Sequence, residues 1–184
     1  YGHWWYEGPQ FMDFFFRKLH YDQSEIEAIS PGDFLDSGIP IQVQQPSTSS
    51  WGENGYFKVW INEGNAWMYP YQHDAERRMT ELANKFADSK SESGLNSELT
   101  TRILNQLARE LLLAESSDWA FQIYKGTTVE YSSRRFQSHI HRFDLLAKML
   151  ESGEVNEELL DEVERRDNIF REIDYRVYQS RQPD

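Results

Sequence analysis

The chain has 184 residues, of which 31 are acidic and 19 basic, and its net charge of −12 argues against nucleic-acid binding, which needs a positive surface. It contains no cysteine, which excludes disulfide bonds and thiolate metal sites and fits a reducing compartment such as the cytoplasm. No apolar run approaches the roughly 20 residues of a membrane helix, so neither a membrane nor a nucleic acid is expected as a partner.

The first 50 residues have the pattern of an α/β unit. The sequence starts abruptly with an aromatic motif at residues 1–6, and we expect it to be part of a longer protein. Pro9 and the apolar residues that follow it predict a helix covered on several sides. Residues 30–33 (Ser-Pro-Gly-Asp) predict a turn and a helix entry, and the alternation at residues 39–44 predicts one short strand. The segment therefore looks like a piece of a larger sheet.

Residues 49–60 form a Gly-rich polar segment that contains two tryptophans, Trp51 and Trp60. Loops of this kind often carry function. The flat apolar face of an indole suits a sugar ring, whose C–H faces stack on it while the hydroxyls take hydrogen bonds. The alternative is that both side chains belong to the core. This alternative is stronger for Trp60, which is flanked by Val59 and Ile61, than for Trp51, which is flanked by Ser and Gly.

Helical periodicity dominates from Trp67 onwards and predicts four amphipathic helices that pack as an up-and-down bundle. Residues 87–94 are a small polar connection, Gly153 closes the third helix, and Asn156 caps the fourth. The expected buried stripes are Ala75, Met79, Leu82, Ala83 and Phe86; Leu99, Ile103, Leu104, Leu107, Ala108, Leu111 and Leu112; Val129, Phe136, Ile140, Phe143, Ala147 and Leu150; and Leu159, Val163, Phe170, Ile173 and Val177.

Residues 116–127 lie between the second and third predicted helices, and we interpret them as a non-helical insert with a second candidate site. The Asp118 carboxylate can accept hydrogen bonds from sugar hydroxyls while the adjacent Trp119 ring stacks. The alternative for Asp118 is to cap a following turn. Thr127 and Glu130 have the spacing of a capping box at the start of the third helix.

The histidines do not predict a metal site. His139 and His141 are two residues apart, so on a helix they point to different faces and cannot hold one ion. His3 is the histidine best placed for function, and a place in the core is its alternative. The sequence has no phosphate-binding Gly loop, no nucleophile-elbow Ser and no Cys nucleophile, and we expect no metal and no cofactor.

Five motifs lie in order at residues 2–9, which begin Gly-His-Trp-Trp, and at residues 50–60, 67–76, 111–119 and 126–131. Together, over about residues 1–148, they resemble glycoside hydrolase family 57, and its 1,4-α-glucan branching enzymes are the most similar members. The resemblance implies an incomplete (β/α)7 barrel followed by a helical C-terminal domain. We therefore expect a mainly α chain, with a short barrel remnant at residues 1–60 and a helical domain at residues 61–184.

The family's chemistry implies a division of labour. In the family, Gly-His-Trp-Trp (here residues 2–5) follows shortly after the catalytic Asp, which is the general acid, and the nucleophilic Glu lies far upstream. Both would be missing here, so no catalytic residue is assigned and the isolated chain should be inactive. The resemblance implies a retaining mechanism for the full-length protein, in which a glucanyl ester is passed to the 6-hydroxyl of another glucan chain.

The resemblance implies substrate contacts for residues at matching positions of this sequence. Trp51 matches a substrate-stacking Trp of the family, Trp60 matches a second Trp of the same wall, and Asp118 matches a substrate-contacting Asp. Thr127 stands where many branching enzymes have a sugar-contacting Gln, and Thr is shorter. With Trp119 and His3, these residues are the candidate substrate-binding set. A wall of indoles would hold glucan and exclude water, which favours transfer over hydrolysis.

The expected partners are an α-glucan, such as glycogen or an amylose-like chain, and the N-terminal catalytic barrel of the same polypeptide. We also expect a large exposed apolar patch on residues 1–60, because the barrel that should cover it is absent, and a homodimer of the chain could form through this patch. Two other interpretations stay open. In the first, the parent protein is an α-amylase or a 4-α-glucanotransferase of the same family. In the second, the chain is a helical interaction module without sugar contact.

Overall fold

The computed structural model describes residues 6–86 and 97–180, and within them the fold is mainly α, as expected, with no strand. The chain divides into two compact units, residues 1–47 and 48–184. None of the helices in these ranges is both long enough and apolar enough to cross a membrane. The α-helices are α1 (Gly8–Tyr21), α2 (Pro31–Asp36), α3 (Tyr69–Lys85), α4 (Ser97–Ala114), α5 (Ser117–Lys125), α6 (Val129–Ser152) and α7 (Glu157–Arg166), and short 3₁₀ helices cover Glu53–Gly55, Ala66–Met68 and Tyr175–Tyr178.

The first unit contains the two short helices that the sequence predicts. Pro9 lies in the first turn of α1, and Ser30 caps α2 by accepting a hydrogen bond from the Asp33 N–H at 3.1 Å. The strand predicted at residues 39–44 is wrong, because this segment has no regular structure and no neighbouring strand among the described residues to pair with. Barrel structure therefore stays a prediction for this part. Several large apolar side chains of α1 are exposed, namely Phe11, Met12, Phe14, Phe15 and Phe16.

The second unit is a helical bundle whose core lies mainly between α4 and α6, with α3 and α7 packed against α4. The stripe predicted for α3 is confirmed, since all five of its residues are buried. The second and third predicted helices correspond to α4 and α6. The largest apolar side chains with almost no exposure are Met79, Ile103, Leu104, Leu107, Leu111, Phe136, Phe143, Leu146 and Leu160. The predicted connection at residues 87–94 lies outside the described residues.

The two ends of α6 differ in how well the sequence predicts them. Gly153 closes the helix in the left-handed conformation (φ 74°), as expected. The capping box is wrong, because the N-cap is Thr128 and no side chain caps this end. The Thr128 hydroxyl instead donates to Gln122 Oε1 of α5 at 2.7 Å. A contact between two helices thus takes the place of a local cap.

The fourth helix is shorter than its apolar pattern predicts. Asn156 caps it as expected, accepting from the Leu159 N–H at 3.0 Å, but α7 ends at Arg166. The next side chain, Asp167, turns into the bundle to pair with Arg142 of α6 at 2.8 Å. Ending the helix here lets the chain return to the Tyr175–Tyr178 turn, where the Tyr175 hydroxyl donates to the Phe86 carbonyl at 2.9 Å.

Glu115, just after α4, is a half-buried carboxyl beside Glu76 of α3. Burial, with the negative charge of Glu76 and a hydrogen bond to it adding to the effect, raises the pKa of Glu115 from 4.5 to about 7. A folded-state pKa above the unfolded value means that the native state binds this proton more tightly. Its stabilising contribution is complete below pH 4.5 and is lost as the pH rises through about 7.

We expect the substitution Glu115→Gln to remove this pH dependence. The difference in unfolding free energy between the variant and the wild-type chain should shift in favour of the variant from about pH 4.5 upwards and level off above about pH 8. Urea unfolding at a series of pH values measures this difference. Two curves that run parallel across the range would contradict the assignment.

Candidate functional site

Three aromatic rings form an open cluster on the second unit. The ring centroids of Trp51, Trp60 and Phe121 lie 6.0–6.3 Å apart, with tilts of 33–48° between the rings. The Trp51 side chain is 81% exposed, so the alternative of a core Trp51 does not hold. Trp60 is partly buried. We call these three residues the aromatic cluster.

The loop that carries Trp51 is shaped by close backbone packing. Gly52 has no room for a side chain, because a Cβ there would lie 2.5 Å from the Tyr56 carbonyl oxygen and 3.3 Å from Trp60 Nε1. The Ser50 hydroxyl donates to the same carbonyl and accepts from the Gly52 N–H at 2.9 Å. Gly55 has φ 76°, which a residue with a Cβ rarely adopts. The glycines thus allow the tight turn that sets Trp51 beside Trp60.

One buried amide joins this loop to α5. Asn65 has no exposed surface, and its Nδ2 donates to the Val59 and Ala120 carbonyls, both at 3.2 Å. Its Oδ1 accepts from the Asn62 N–H at 2.8 Å. The Tyr69 hydroxyl also donates to the Trp60 carbonyl. Because Ala120 precedes Phe121 in α5, the Asn65 side chain holds Trp60 and Phe121 in register.

The non-helical insert predicted at residues 116–127 is wrong, since Ser117–Lys125 form helix α5. Ala120 and Ile123 are buried on its inner face, which gives this short helix its packing energy. Gly126 ends it in the left-handed conformation (φ 71°) and donates its N–H to the Gln122 carbonyl at 3.0 Å. The helix, rather than a loop, therefore presents the second candidate site.

The side chains of the adjacent residues Asp118 and Trp119 lie on different sides of α5. Asp118 is exposed and lies one turn before Phe121, so its side chain is on the face of α5 that carries this member of the aromatic cluster. Trp119 points towards the bundle: its Nε1–H donates to the Leu113 carbonyl at 2.8 Å, and its ring stacks on His139 with the centroids 6.5 Å apart. Asp118 makes no capping bond to a helix N–H, although its charge is favourable in a first turn.

The remaining predicted site residues are less informative. Thr127 is exposed in the turn between α5 and α6, beside Gly126, and the neighbouring Thr128 makes the contact with α5. His3 lies outside the described residues. The structure therefore brings together Trp51 and Trp60, places Asp118 one turn of α5 before Phe121, and places Trp119 in the bundle.

Two residues of α5 that complete the surface, Phe121 and Lys125, were not among the predicted site residues. Phe121 is a member of the aromatic cluster, and Lys125 Nζ lies 5.8 Å from its ring centroid. The Tyr124 hydroxyl donates to the Glu53 carboxylate, and this bond raises the pKa of Tyr124. Asp118, Phe121 and Lys125 are spaced as on one face of a helix, so predicting the segment as a helix would have grouped these three residues.

A buried ionic network lies beneath α5. His139 Nδ1 is 2.7 Å from Glu110 Oε2, and Arg135 Nη2 is 3.0 Å from His139 Nε2. An arginine can only donate, so Nε2 accepts and the Nδ1–H donates to Glu110. Burial raises the pKa of Glu110, and the bond from His139 opposes this effect. The network ties α4 to α6 under the Trp119 ring.

The same network has the residue types of a metal site. Ligand atoms of Glu110, His139 and Asp167 all lie within 4.8 Å of one another. However, Arg142 Nη1 is 2.8 Å from Asp167 and 3.8 Å from Glu110, so a guanidinium already supplies the positive charge there. This arrangement favours an ion-pair network over a metal site.

We expect Asn65→Ala to disturb the aromatic cluster. The substitution leaves the Ala120 and Val59 carbonyls without the Asn65 amide donor, and it should lower the unfolding free energy by about 2–3 kcal/mol. Acrylamide quenching of Trp fluorescence should increase as Trp60 loosens. Asn84→Ala is the control, because the amide of Asn84 bonds to Ser180 at the surface and its loss should cost about 0.5 kcal/mol. Equal effects of the two substitutions would contradict the role of Asn65.

Comparison with known proteins places this geometry in a family. Residues 71–178 match the model of the family described as "1,4-alpha-glucan branching enzyme, C-terminal". Over its whole length the chain is 36% identical to the 1,4-alpha-glucan branching enzyme TK1436 of Thermococcus kodakarensis and covers 26% of it. The crystal structure of TK1436 in complex with glucose and additives has a TM-score of 0.73 to this chain at 34% identity, with 100% of this chain and 32% of that chain covered.

Two further crystal structures are similar over the whole chain. The GH57-type branching enzyme of Pyrococcus horikoshii has a TM-score of 0.70 at 37% identity, and the chain covers 34% of it. The α-amylase AmyC of Thermotoga maritima has a TM-score of 0.68 at 35% identity, and the chain covers 32% of it. The chain thus spans between about a quarter and a third of the length of these relatives. The resemblance to glycoside hydrolase family 57 is confirmed, and the chain belongs to the family of C-terminal domains of 1,4-α-glucan branching enzymes.

Proposed function

We propose that this chain is part of an α-glucan branching enzyme and supplies one wall of its glucan-binding cleft. The observation that carries the proposal is the aromatic cluster, in which the Trp51 ring is open to solvent and Phe121 lies one turn of α5 after the exposed Asp118. Indole faces stack on the C–H faces of a glucosyl ring, and a carboxylate accepts hydrogen bonds from neighbouring hydroxyls.

The electrostatics of the chain agree with a neutral polysaccharide. A net charge of −12 would repel phosphate-bearing ligands but has no such effect on glucan, which carries no charge. The Lys125 ammonium lies near the Phe121 ring, where it can also donate to a sugar hydroxyl. Thr127, beside Gly126, is close in sequence to this surface and remains a proposed contact, as does His3.

In the proposal the catalytic carboxylates belong to the N-terminal barrel of the same polypeptide, and the transfer follows the retaining route through a glucanyl ester. The wall contributes affinity and excludes water, so that a glucan hydroxyl rather than water attacks the ester.

The exposed apolar side chains of α1 support the proposal that a barrel covers them in the full-length protein, and in the isolated chain they could pair in a homodimer. The absence of cysteine supports a cytoplasmic location.

The similarity to AmyC favours a second candidate, in which the parent protein is an α-amylase. Both candidates use the same wall and differ in the acceptor, which is a glucan hydroxyl in one and water in the other. The family match and the similarity to TK1436 favour branching. Counting new α-1,6 linkages by proton NMR, after incubating the full-length protein with amylose, distinguishes the two.

We expect Trp51→Ala to weaken the binding of maltoheptaose to the chain by about fivefold to tenfold, because the exposed stacking face is lost. Trp51→Phe should keep part of the affinity, since a smaller ring remains. Isothermal titration calorimetry measures both. Val177→Ala, an exposed apolar residue of the second unit outside the cluster, is the control and should bind like the wild-type chain. Unchanged affinity for Trp51→Ala would refute the stacking role.

The isolated 184-residue chain should form no α-1,6 linkages and release no reducing sugar from amylose, because the proposed carboxylates lie outside it. Proton NMR and a reducing-end assay over a long incubation test this expectation. Turnover by the purified chain alone would refute the division of labour while leaving the binding result intact.

A further inference from the structure

A second concave site lies between the start of α3 and the middle of α6. It has a volume of about 260 Å³ and shares no lining residue with the aromatic cluster. We propose that this pocket, the α3–α6 pocket, binds one glucosyl unit of an α-glucan as a site separate from the aromatic cluster. The sugar class rests on the proposed function. The lining residues are Trp67, Tyr71, Phe136, Gln137, Ile140, His141 and Asp144.

The aromatic wall of the pocket is held rigidly on one side and open on the other. The Trp67 Nε1–H donates to the Gly64 carbonyl at 3.0 Å, and its ring meets Phe136 edge to face at 5.5 Å. These contacts fix the ring before any ligand arrives. Tyr71 follows one helical turn later and is 58% exposed. Because the Trp67 ring is already fixed, it loses little conformational entropy on binding, and the solvent-facing Tyr71 ring is accessible to a ligand.

The opposite wall is a single face of α6. Gln137, Ile140, His141 and Asp144 recur at helical spacing, and Ile140 together with Phe136 forms an apolar floor. The Gln137 and His141 side chains make no hydrogen bond to any residue in the described part of the chain.

The acidic member of the wall also keeps an acceptor for a ligand. Asp144 Oδ1 accepts from Arg78 at 2.6 Å, and Oδ2 remains open to a ligand. The pocket thus offers an apolar floor, two aromatic rings and a rim with both donors and acceptors.

This combination selects a neutral polyol. A carboxylate at the rim of an acidic chain disfavours phosphate groups, whereas a sugar ring can use the apolar floor and the polar rim together. The volume lies below the roughly 300–1,000 Å³ of pockets for drug-sized ligands, so it suits one ring rather than a chain segment. A second contact on the same domain would raise the effective concentration of a long glucan at the wall.

The indole N–H signals provide a test that reads each site by itself. We expect maltotriose, titrated into the ¹⁵N-labelled 184-residue chain, to shift the Trp67 and Trp51 indole signals with different saturation curves, and glucose alone to shift Trp67 more weakly. The double variant Tyr71→Ala, His141→Ala should abolish the Trp67 shift and keep the Trp51 shift. Lys148→Ala, on α6 but outside the pocket, is the control, and thermal unfolding checks that each variant is folded.

The outcomes separate the two proposals. A Trp51 shift without a Trp67 shift overturns the α3–α6 pocket and leaves the proposed wall standing. A Trp67 shift without a Trp51 shift does the reverse, and no shift at either indole overturns both. In the full-length protein the double variant should raise the KM for amylose by about tenfold or more. An unchanged KM there would also overturn the inference.

Discussion

The aromatic cluster depends on the buried side chain of Asn65. Its members come from a loop with little regular structure and from α5, about 60 residues later in the chain. Apolar contact between the rings cannot fix their registry, because it is not directional. The Asn65 amide can, because it bonds the Val59 and Ala120 carbonyls, each of which precedes a ring of the cluster. Burial strengthens this constraint, since an unpaired amide in the interior is costly.

Helix α5 is in turn seated on α6 by polar and aromatic contacts. Gln122 Oε1 accepts from the Ser132 hydroxyl at 2.7 Å, and the Trp119 ring lies on His139. His139 donates to Glu110 of α4, the helix with the most extensive contact to α6. The position of the cluster is thus linked to the core of the bundle through a series of directional contacts. A surface that binds a sugar by stacking needs such support, because small displacements of a ring remove its contact area.

The sequence predicts the elements whose cause is local and misses those whose cause is tertiary. The buried stripe of α3, the Asn156 cap and the Gly153 stop follow from spacing and backbone preference, and the structure confirms them. Helix α5 was not predicted because its nine residues bury only Ala120 and Ile123, too few for a clear apolar stripe, and the other residues at helical spacing, Asp118, Phe121 and Lys125, are of mixed polarity. Helix α7 ends where its C-cap residue, Asp167, pairs with the distant Arg142, and a partner so far away in sequence is not visible in the local pattern. The structural role of Asn65 cannot be predicted from its local sequence, because its partner, the Ala120 carbonyl, is 55 residues away in the chain.

The candidate site shows the same division. Trp51 and Trp60 are conspicuous because large aromatics stand in a Gly-rich segment, and their pairing in space agrees with that pattern. Trp119 has the same local appearance beside Asp118, yet it serves the bundle, because a helix directs adjacent residues to different faces. Once α5 is recognised as a helix, Phe121 must replace Trp119 as the ring that shares a face with Asp118. The secondary structure of nine residues therefore decides which aromatic side chain can contact a ligand and which one holds the scaffold together.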